Sequence, residues 1–104
     1  MNRQETRGRI AVLAVPDCPN ALLLRERFAA ALEGRAVTAE WVEVHDTEEV
    51  IRQGMTGSPT LLLDGIDPFA QEGAVPSTSC RLYRHADGTT DGAPAVEELR
   101  HVLA

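Results

Sequence analysis

One short segment limits the possible folds more than any other. Residues 10–15 form an unbroken apolar run, Ile-Ala-Val-Leu-Ala-Val, which Pro16 closes. A run of this length with β-branched side chains is typical of a strand that is buried on both faces. Such strands occupy the middle of α/β sheets, where helices cover both sides. The sequence therefore predicts an α/β fold built around a first strand at residues 9–15.

A helix pattern follows this strand directly. Apolar side chains recur every four residues at Leu24, Phe28 and Leu32, and a glycine then ends the pattern. Pro19 suits the first turn of such a helix, because its missing N–H would have no intrahelical partner there. We therefore predict that the first helix begins at Pro19 and runs to residue 33.

The rest of the chain continues the alternation of strands and helices. Apolar runs predict further strands at residues 37–44, 59–63 and 80–84, and a capping pattern at 46–49 and a Gly-Ala-Pro entry at 92–94 predict further helices. The predicted elements follow the order β-α-β-α-β-β-α, with four strands and three helices. Residues 1–8 are polar and are expected to be a flexible N-terminus, which leaves 9–104 as a single domain.

Composition narrows the class of protein. A chain of 104 residues with 43% hydrophobic residues suffices for one core. The net charge is −6, every basic residue other than histidine is arginine, and no basic stripe occurs, which argues against nucleic acid and anionic membranes as partners. No apolar run approaches the roughly 20 residues of a membrane span. With no secretory pattern and only two cysteines, we expect a cytoplasmic protein.

The residue with the clearest chemical potential is Cys18, in the stretch Asp17-Cys18-Pro19-Asn20-Ala21 between the first strand and the first helix. A helix N-terminus carries a partial positive charge, which favours thiolate over thiol. Asp17 works in the opposite direction because its charge is negative. A dithiol enzyme would carry its second cysteine at position 21, where this chain has alanine, so the chemistry predicted is that of one thiol.

Three segments in this order resemble the thioredoxin-like superfamily over nearly the whole chain. They are the cysteine segment Asp17–Ala21, the segment Met55–Leu63 with Ser58-Pro59-Thr60, and the helix entry Gly92–Leu99. The resemblance implies a thioredoxin-like fold, in which a central four-stranded mixed sheet is flanked by three helices. It also implies a cis peptide bond before Pro59. It implies further that Ser58, Pro59 and Thr60 face Cys18 and, with Pro19 and Asn20, bind the substrate.

The resemblance implies a monothiol disulfide oxidoreductase or thiol-transfer protein that acts on a disulfide-containing protein or a small thiol. Cys18 would be the nucleophile, and an external thiol would resolve the mixed disulfide. No cofactor is expected. No metal site is expected either, since His45, His85 and His101 are isolated in the sequence. His85 is the one histidine expected near the rim of the site.

Two other functions remain open. A fainter resemblance to small thioredoxin-like proteins of the alkylmercury-lyase-like kind implies carbon–mercury cleavage by Cys18, Cys80 and Asp17. Alternatively, the domain is a redox-silent binding module. Cys80 shares strand parity with Leu82 and is expected to pack in the core, remote from Cys18. A disulfide between the two cysteines would need the long aperiodic segment at 66–79 to carry Cys80 back to the site.

Overall fold

The computed structural model describes residues 9–103, so the predicted flexible N-terminus at 1–8 lies outside it. Three helices and seven strands make up this part of the chain. In chain order they are β1 (Ile10–Ala14), α1 (Pro19–Leu32), β2 (Glu40–Glu43), α2 (Thr47–Gln53), β3 (Thr56–Ser58), β4 (Thr60–Leu63), β5 (Ser77–Cys80), β6 (Tyr83–Arg84), β7 (Thr90–Asp91) and α3 (Val96–Leu103).

The main sheet has the order β2-β1-β4, with β1 in the middle. Strand β2 runs parallel to β1, with Val12 opposite Trp41, and β4 runs antiparallel to β1, with Val12 opposite Leu61. The predicted α/β class with three helices is confirmed. The sheet around β1 has three strands, however, and the remaining described strands form two separate pairs, β3 with β5 and β6 with β7.

The predicted fourth strand at residues 80–84 is divided in two. Its first residue ends β5, which pairs in parallel with β3, and its last two form β6, which pairs with β7. The break falls at Arg81, whose backbone N–H donates to the carbonyl of Ser58 at 3.1 Å and whose side chain is buried. After Arg81 the chain leaves β3, and the next strand, β6, pairs with β7.

The two faces of the main sheet are covered by different helices. Val12 and Leu61 face a core formed with α1 and α3, in which Leu24, Phe28 and Leu99 are buried. On the other face a second cluster lies beneath α2, and it consists of Leu13, Val44, Val50, Met55 and Leu62. Successive residues of β1 and β4 alternate between these two cores, which explains why both strands read as continuous apolar runs.

A buried arginine holds the long segment between β4 and β5. The Arg81 guanidinium donates to Asp67 Oδ2 at 2.7 Å, to the carbonyl of Phe69 at 2.7 Å and to Thr56 Oγ1 at 3.1 Å. It also lies 4.3 Å from the centre of the Tyr83 ring. Since both members of the Arg81–Asp67 pair are almost fully buried, removal of either one would leave an uncompensated charge inside the protein.

Candidate functional site

The chain turns sharply between β1 and α1 and places Cys18 at the start of the helix. Asp17 adopts a left-handed backbone conformation with φ 59°, a conformation that aspartate tolerates better than most residues. Cys18 is the N-cap of α1 and Pro19 is its first residue, yet the Cys18 side chain makes no capping hydrogen bond. Cys18 is buried, with 7% of the residue exposed. Its side chain therefore lies at the positive end of the helix dipole and makes no capping hydrogen bond to the backbone.

A groove of about 600 Å³ opens beside Cys18. Its wall combines the end of β1, the first two turns of α1 and the edge strand β2, and its side chains include Asp17, Pro19, Leu22, Arg25, Trp41 and Glu43. The Arg25 guanidinium lies 4.0 Å from the centre of the Trp41 ring, an arrangement that fixes both side chains. The groove thus offers a thiol, an aromatic surface and charges of both signs.

The predicted substrate-binding loop lies on the other side of the β1 end. The Ser58–Pro59 peptide bond is cis, and Ser58, Pro59 and Thr60 are all buried. Ser58 Oγ accepts a hydrogen bond from the Val15 N–H at 3.1 Å, three residues before Cys18. The structure therefore joins this loop to the strand that leads into Cys18, although none of the three residues lines the groove.

The polar groups of this loop are bonded within the protein. The Thr60 hydroxyl donates to the carbonyl of Gly57 at 2.6 Å, and the Tyr83 hydroxyl donates to the carbonyl of Pro59. Burial raises the pKa of Tyr83 above its usual range, so the hydroxyl keeps its proton and remains a donor. These contacts fix the backbone of the loop relative to β1 and β6.

Asn20, also predicted to bind substrate, lies against the segment before α3. A Cβ atom built on Gly92 would come within 2.2 Å of Asn20 Cγ, so the asparagine amide occupies the space that a side chain at position 92 would need. Asn20 is absent from the groove wall, whereas its neighbours Pro19 and Ala21 line it. The contact explains the glycine at position 92 and ties the first turn of α1 to the Gly92–Pro94 segment.

Cys80 is exposed, which corrects the expectation that it packs in the core. The reason is the buried Arg81 beside it: because position 81 faces inward, Cys80 and Leu82 face outward. The register partner of Cys80 is Ser58, so β5 runs beside the loop that contacts the end of β1 and not at a remote end of the sheet.

The three residues of the lyase alternative do not share a cavity. Asp17 and Cys18 line the groove, whereas Cys80 lines a separate cavity of about 290 Å³ with Thr56 and Arg81. Both cysteines are free thiols. Carbon–mercury cleavage by two thiolates would require both sulfur atoms at one metal, and this alternative stays a prediction.

Residues 9–103 contain neither a membrane-spanning helix nor a cluster of metal-binding side chains. None of the helices in this range is long and apolar enough to cross a membrane. Within the same range no group of three or more His, Cys, Asp or Glu side chains is arranged to hold a metal ion.

A charged network that the sequence analysis did not predict surrounds His85. Its Nε2 lies 2.8 Å from Asp91 Oδ1, and its Nδ1 lies 3.1 Å from Glu98 Oε1. Arg27 of α1 binds both carboxylate oxygens of Asp91, at 2.7 and 3.1 Å. The only signal in the sequence is the Asp87-Gly88 turn, which pairs the residues on its two sides and so brings His85 close to Asp91.

The hydrogen bonds of this network shift the pKa of two groups. The hydrogen bond with Asp91 is the largest influence on His85 and raises its pKa, and the bond to Glu98 adds to this against the cost of burial. The bond from Arg27, followed by that from His85, holds the pKa of Asp91 well below its usual range. Protonated His85 and ionised Asp91 are therefore the states that the folded protein favours.

We expect His85 to stabilise the fold in a pH-dependent way. Because its pKa is raised on folding, its contribution is complete below the ordinary histidine value of about 6.5 and is lost as the pH rises through the higher folded-state value. The free energy of unfolding should therefore differ more between the parent protein and His85→Gln at pH 6 than at pH 9. Urea titrations at both values measure this difference, and equal differences would show that the network does not stabilise the fold through the imidazolium.

Comparison of the chain with models of protein families, with curated proteins and with solved structures finds no match.

Proposed function

We propose that the protein is a monothiol thiol–disulfide exchange protein with a thioredoxin-like fold, in which Cys18 is the nucleophile. The observation that carries this proposal is the position of Cys18. It is the N-cap residue of α1, its side chain makes no capping hydrogen bond, and it forms part of the wall of a groove. The thiolate is the form of cysteine that attacks disulfides.

The reaction balances with one external thiol. The Cys18 thiolate attacks one sulfur of a substrate disulfide, a bond forms between Cys18 and that sulfur, and the other sulfur leaves as a thiolate that takes up a proton. A thiolate from solution then attacks the substrate-derived sulfur of the mixed disulfide. The two form a new disulfide, and Cys18 leaves as a thiolate. Ala21 stands where an internal resolving cysteine would be, and its N–H donates to the Cys18 carbonyl at 3.1 Å. The external thiol is therefore a required co-reactant.

The groove supplies the surface for the part of the substrate that becomes attached to Cys18. Trp41 and the neighbouring aliphatic side chains provide apolar contact area, and the Arg25 guanidinium over the Trp41 ring adds a positive charge. We propose a disulfide-containing protein or a small thiol compound as the partner, bound with Pro19 at the thiol end of the groove. A reducing cytoplasm would keep both cysteines of the chain as thiols.

The thioredoxin-like part of the proposal is supported by the arrangement around β1. A parallel β1–α1–β2 unit is followed by α2 and by the antiparallel strand β4, and the Ser58-Pro59-Thr60 loop precedes β4. This loop touches the end of β1 through Ser58 and Val15. We propose that its role is to hold the backbone that leads into Cys18, and that Asn20 supports the same turn from the side of Gly92.

The order in which the two cysteines react tests the proposal. Two single-thiol proteins, Cys80→Ser and Cys18→Ser, are incubated at pH 7 with the neutral disulfide of 2-mercaptoethanol, and mass spectrometry follows the mixed disulfide. Accessibility alone predicts that exposed Cys80 reacts first. We expect Cys18 to react about tenfold faster despite its burial, because the groove beside it can hold the disulfide next to the sulfur.

The second step is tested on the trapped species. Addition of free cysteine should release the adduct from Cys18 and regenerate the thiol. If only Cys80 forms the adduct, Cys18 is a packed residue, and the domain is better explained as a redox-silent binding module.

A further inference from the structure

The strongest feature outside the groove is the network around His85, which reaches α1 by two routes. Both ring nitrogens of His85 face carboxylates, Asp91 at 2.8 Å and Glu98 at 3.1 Å. A neutral imidazole carries one N–H and can donate only one of these bonds, whereas the imidazolium donates both. The observed contacts are therefore complete only when His85 is protonated.

The first route to α1 runs through Arg27. This side chain binds both oxygens of Asp91, and its Nη1 also donates to the carbonyl of Ala93 at 3.0 Å. Arg27 thus binds both Asp91, which also contacts His85, and the backbone carbonyl of Ala93. A bidentate arginine–carboxylate contact of this kind fixes orientation as well as distance.

The second route runs through Gly92. The Asn20 amide fills the space beside Gly92 so closely that no Cβ fits there, and Asn20 is only two residues from Cys18. Gly92 directly follows Asp91 in the chain. A displacement of Asp91 would consequently move the backbone on which the first turn of α1 rests.

The charged groups that face His85 come from every element around it. Asp91 belongs to β7, Glu98 to α3 and Asp87 to the turn between β6 and β7. Arg27 of α1 approaches from the far side of Asp91. The three carboxylates favour the imidazolium, and Arg27 keeps Asp91 ionised in both states of the ring.

We infer that His85 is a positioning residue for Cys18: its protonated ring holds Asp91 and Gly92 against the first turn of α1 and so sets the reactivity of the thiol at that turn. This inference rests on the proposed function, since it concerns the same thiol. When His85 loses its proton, one of its two carboxylate bonds is lost, so the link from Asp91 through His85 to Glu98 of α3 is broken. Arg27 alone then holds Asp91 against α1, and Cys18 is less firmly held at the helix start.

The rate of alkylation of Cys18 as a function of pH tests the inference. In the Cys80→Ser background, iodoacetamide reports on one thiol from pH 5.5 to 9.5. The rate should rise with thiolate formation and show a second inflection, a reduction of about fivefold, centred where NMR shows the His85 ring to titrate. The amide signals of Asn20 and Gly92 should shift with the same midpoint.

A matched pair of histidine variants provides the control. His85→Gln should lose the second inflection and the coupled shifts of Asn20 and Gly92, whereas His101→Gln, an exposed histidine of α3, should keep both. If His85→Gln does not fold, as judged by circular dichroism, Glu98→Gln removes the negative charge of one of the two acceptors and should weaken the inflection. Identical profiles for the parent protein and for the variants at positions 85 and 98 would overturn the inference.

The same data separate this inference from the proposed function. Alkylation needs no disulfide substrate, so an inflection in a protein whose Cys18 exchanges no disulfide would support the positioning role and reject the exchange function. Conversely, rapid exchange at Cys18 with a single-inflection alkylation profile would leave the proposed function standing and reject His85 as its positioning residue.

Discussion

Replacement of Cys18 by serine is expected to reduce thiol–disulfide exchange to the uncatalysed rate. Serine keeps the size of the side chain at the start of α1, but its hydroxyl does not ionise near neutral pH and cannot form the mixed disulfide. The expected loss is at least about 100-fold, because the thiolate is the only nucleophile that the mechanism uses. The measurement is turnover of the 2-mercaptoethanol disulfide in the presence of excess free cysteine.

The matched control for this substitution is Cys80→Ser. Cys80 is exposed and lies in a different cavity, so its loss should change turnover by less than about twofold, as is usual for an exposed residue outside a site. Cys18→Ala serves as a second variant, because a hydroxyl in a buried position has its own cost in stability. Activity that survives in both Cys18 variants would contradict the proposed function.

Gly57→Ala is expected to have the largest effect on stability. Gly57 has φ 140°, a conformation that side-chain-bearing residues rarely adopt, and a Cβ atom there would lie 2.7 Å from Arg81 Cβ. That Cβ cannot move aside, because the Arg81 guanidinium is fixed to Asp67 and Phe69. Backbone strain and overpacking together should cost about 2–6 kcal/mol, which is a large part of the total stability of a small domain.

Gly65→Ala isolates the backbone contribution. Gly65 also has a positive φ, 82°, but no atom lies within 4 Å of the position that its Cβ would take. Urea unfolding of the two variants should therefore show a clearly larger loss for Gly57→Ala, and the difference measures the collision with Arg81. A loss at Gly57 no greater than that at Gly65 would show that β3 and β5 are not packed as closely as the structure has them.

The segments that sequence analysis predicted well are those whose pattern is local. The strand predicted at 9–15 is observed as β1, and the helix predicted at 19–33 is observed as α1, one residue shorter. Both are set by a short apolar run or a helical repeat in contact with the core. The strand predicted at 37–44 is shorter in the structure, since only Glu40–Glu43 pairs with β1.

The pairing of β3 with β5 could not be predicted from the sequence, because these strands carry no apolar alternation. Thr56-Gly57-Ser58 and Ser77–Cys80 are small and polar, and their partners are about 20 residues apart in the chain. The error at Cys80 has a related cause. Strand alternation puts Cys80 and Leu82 on one face and Arg81 on the other, and arginine is rarely the buried one. Here the ion pair with Asp67 stabilises an inward Arg81, so Cys80 and Leu82 face outward.

The candidate site divides in the same way. Cys18 at the helix start follows from an apolar strand, a proline and a helical repeat, all within one stretch of sequence. The groove wall and the His85 network could not be predicted in this way. Trp41 and Glu43 reach the groove through strand pairing, and Asp91 reaches His85 through the pairing of β6 with β7. Their residue types are common, and only their three-dimensional placement distinguishes them.

Strand β2 pairs with β1 on one side, and in the described residues no strand pairs with its other side. An unpaired strand edge can take up a strand from a second molecule, which is a common route to aggregation. Glu40 and Glu43 stand at the two ends of β2 with more than half of each side chain exposed. Charged side chains on an edge strand disfavour the addition of a further strand, so these two glutamates help to protect the open edge of the sheet.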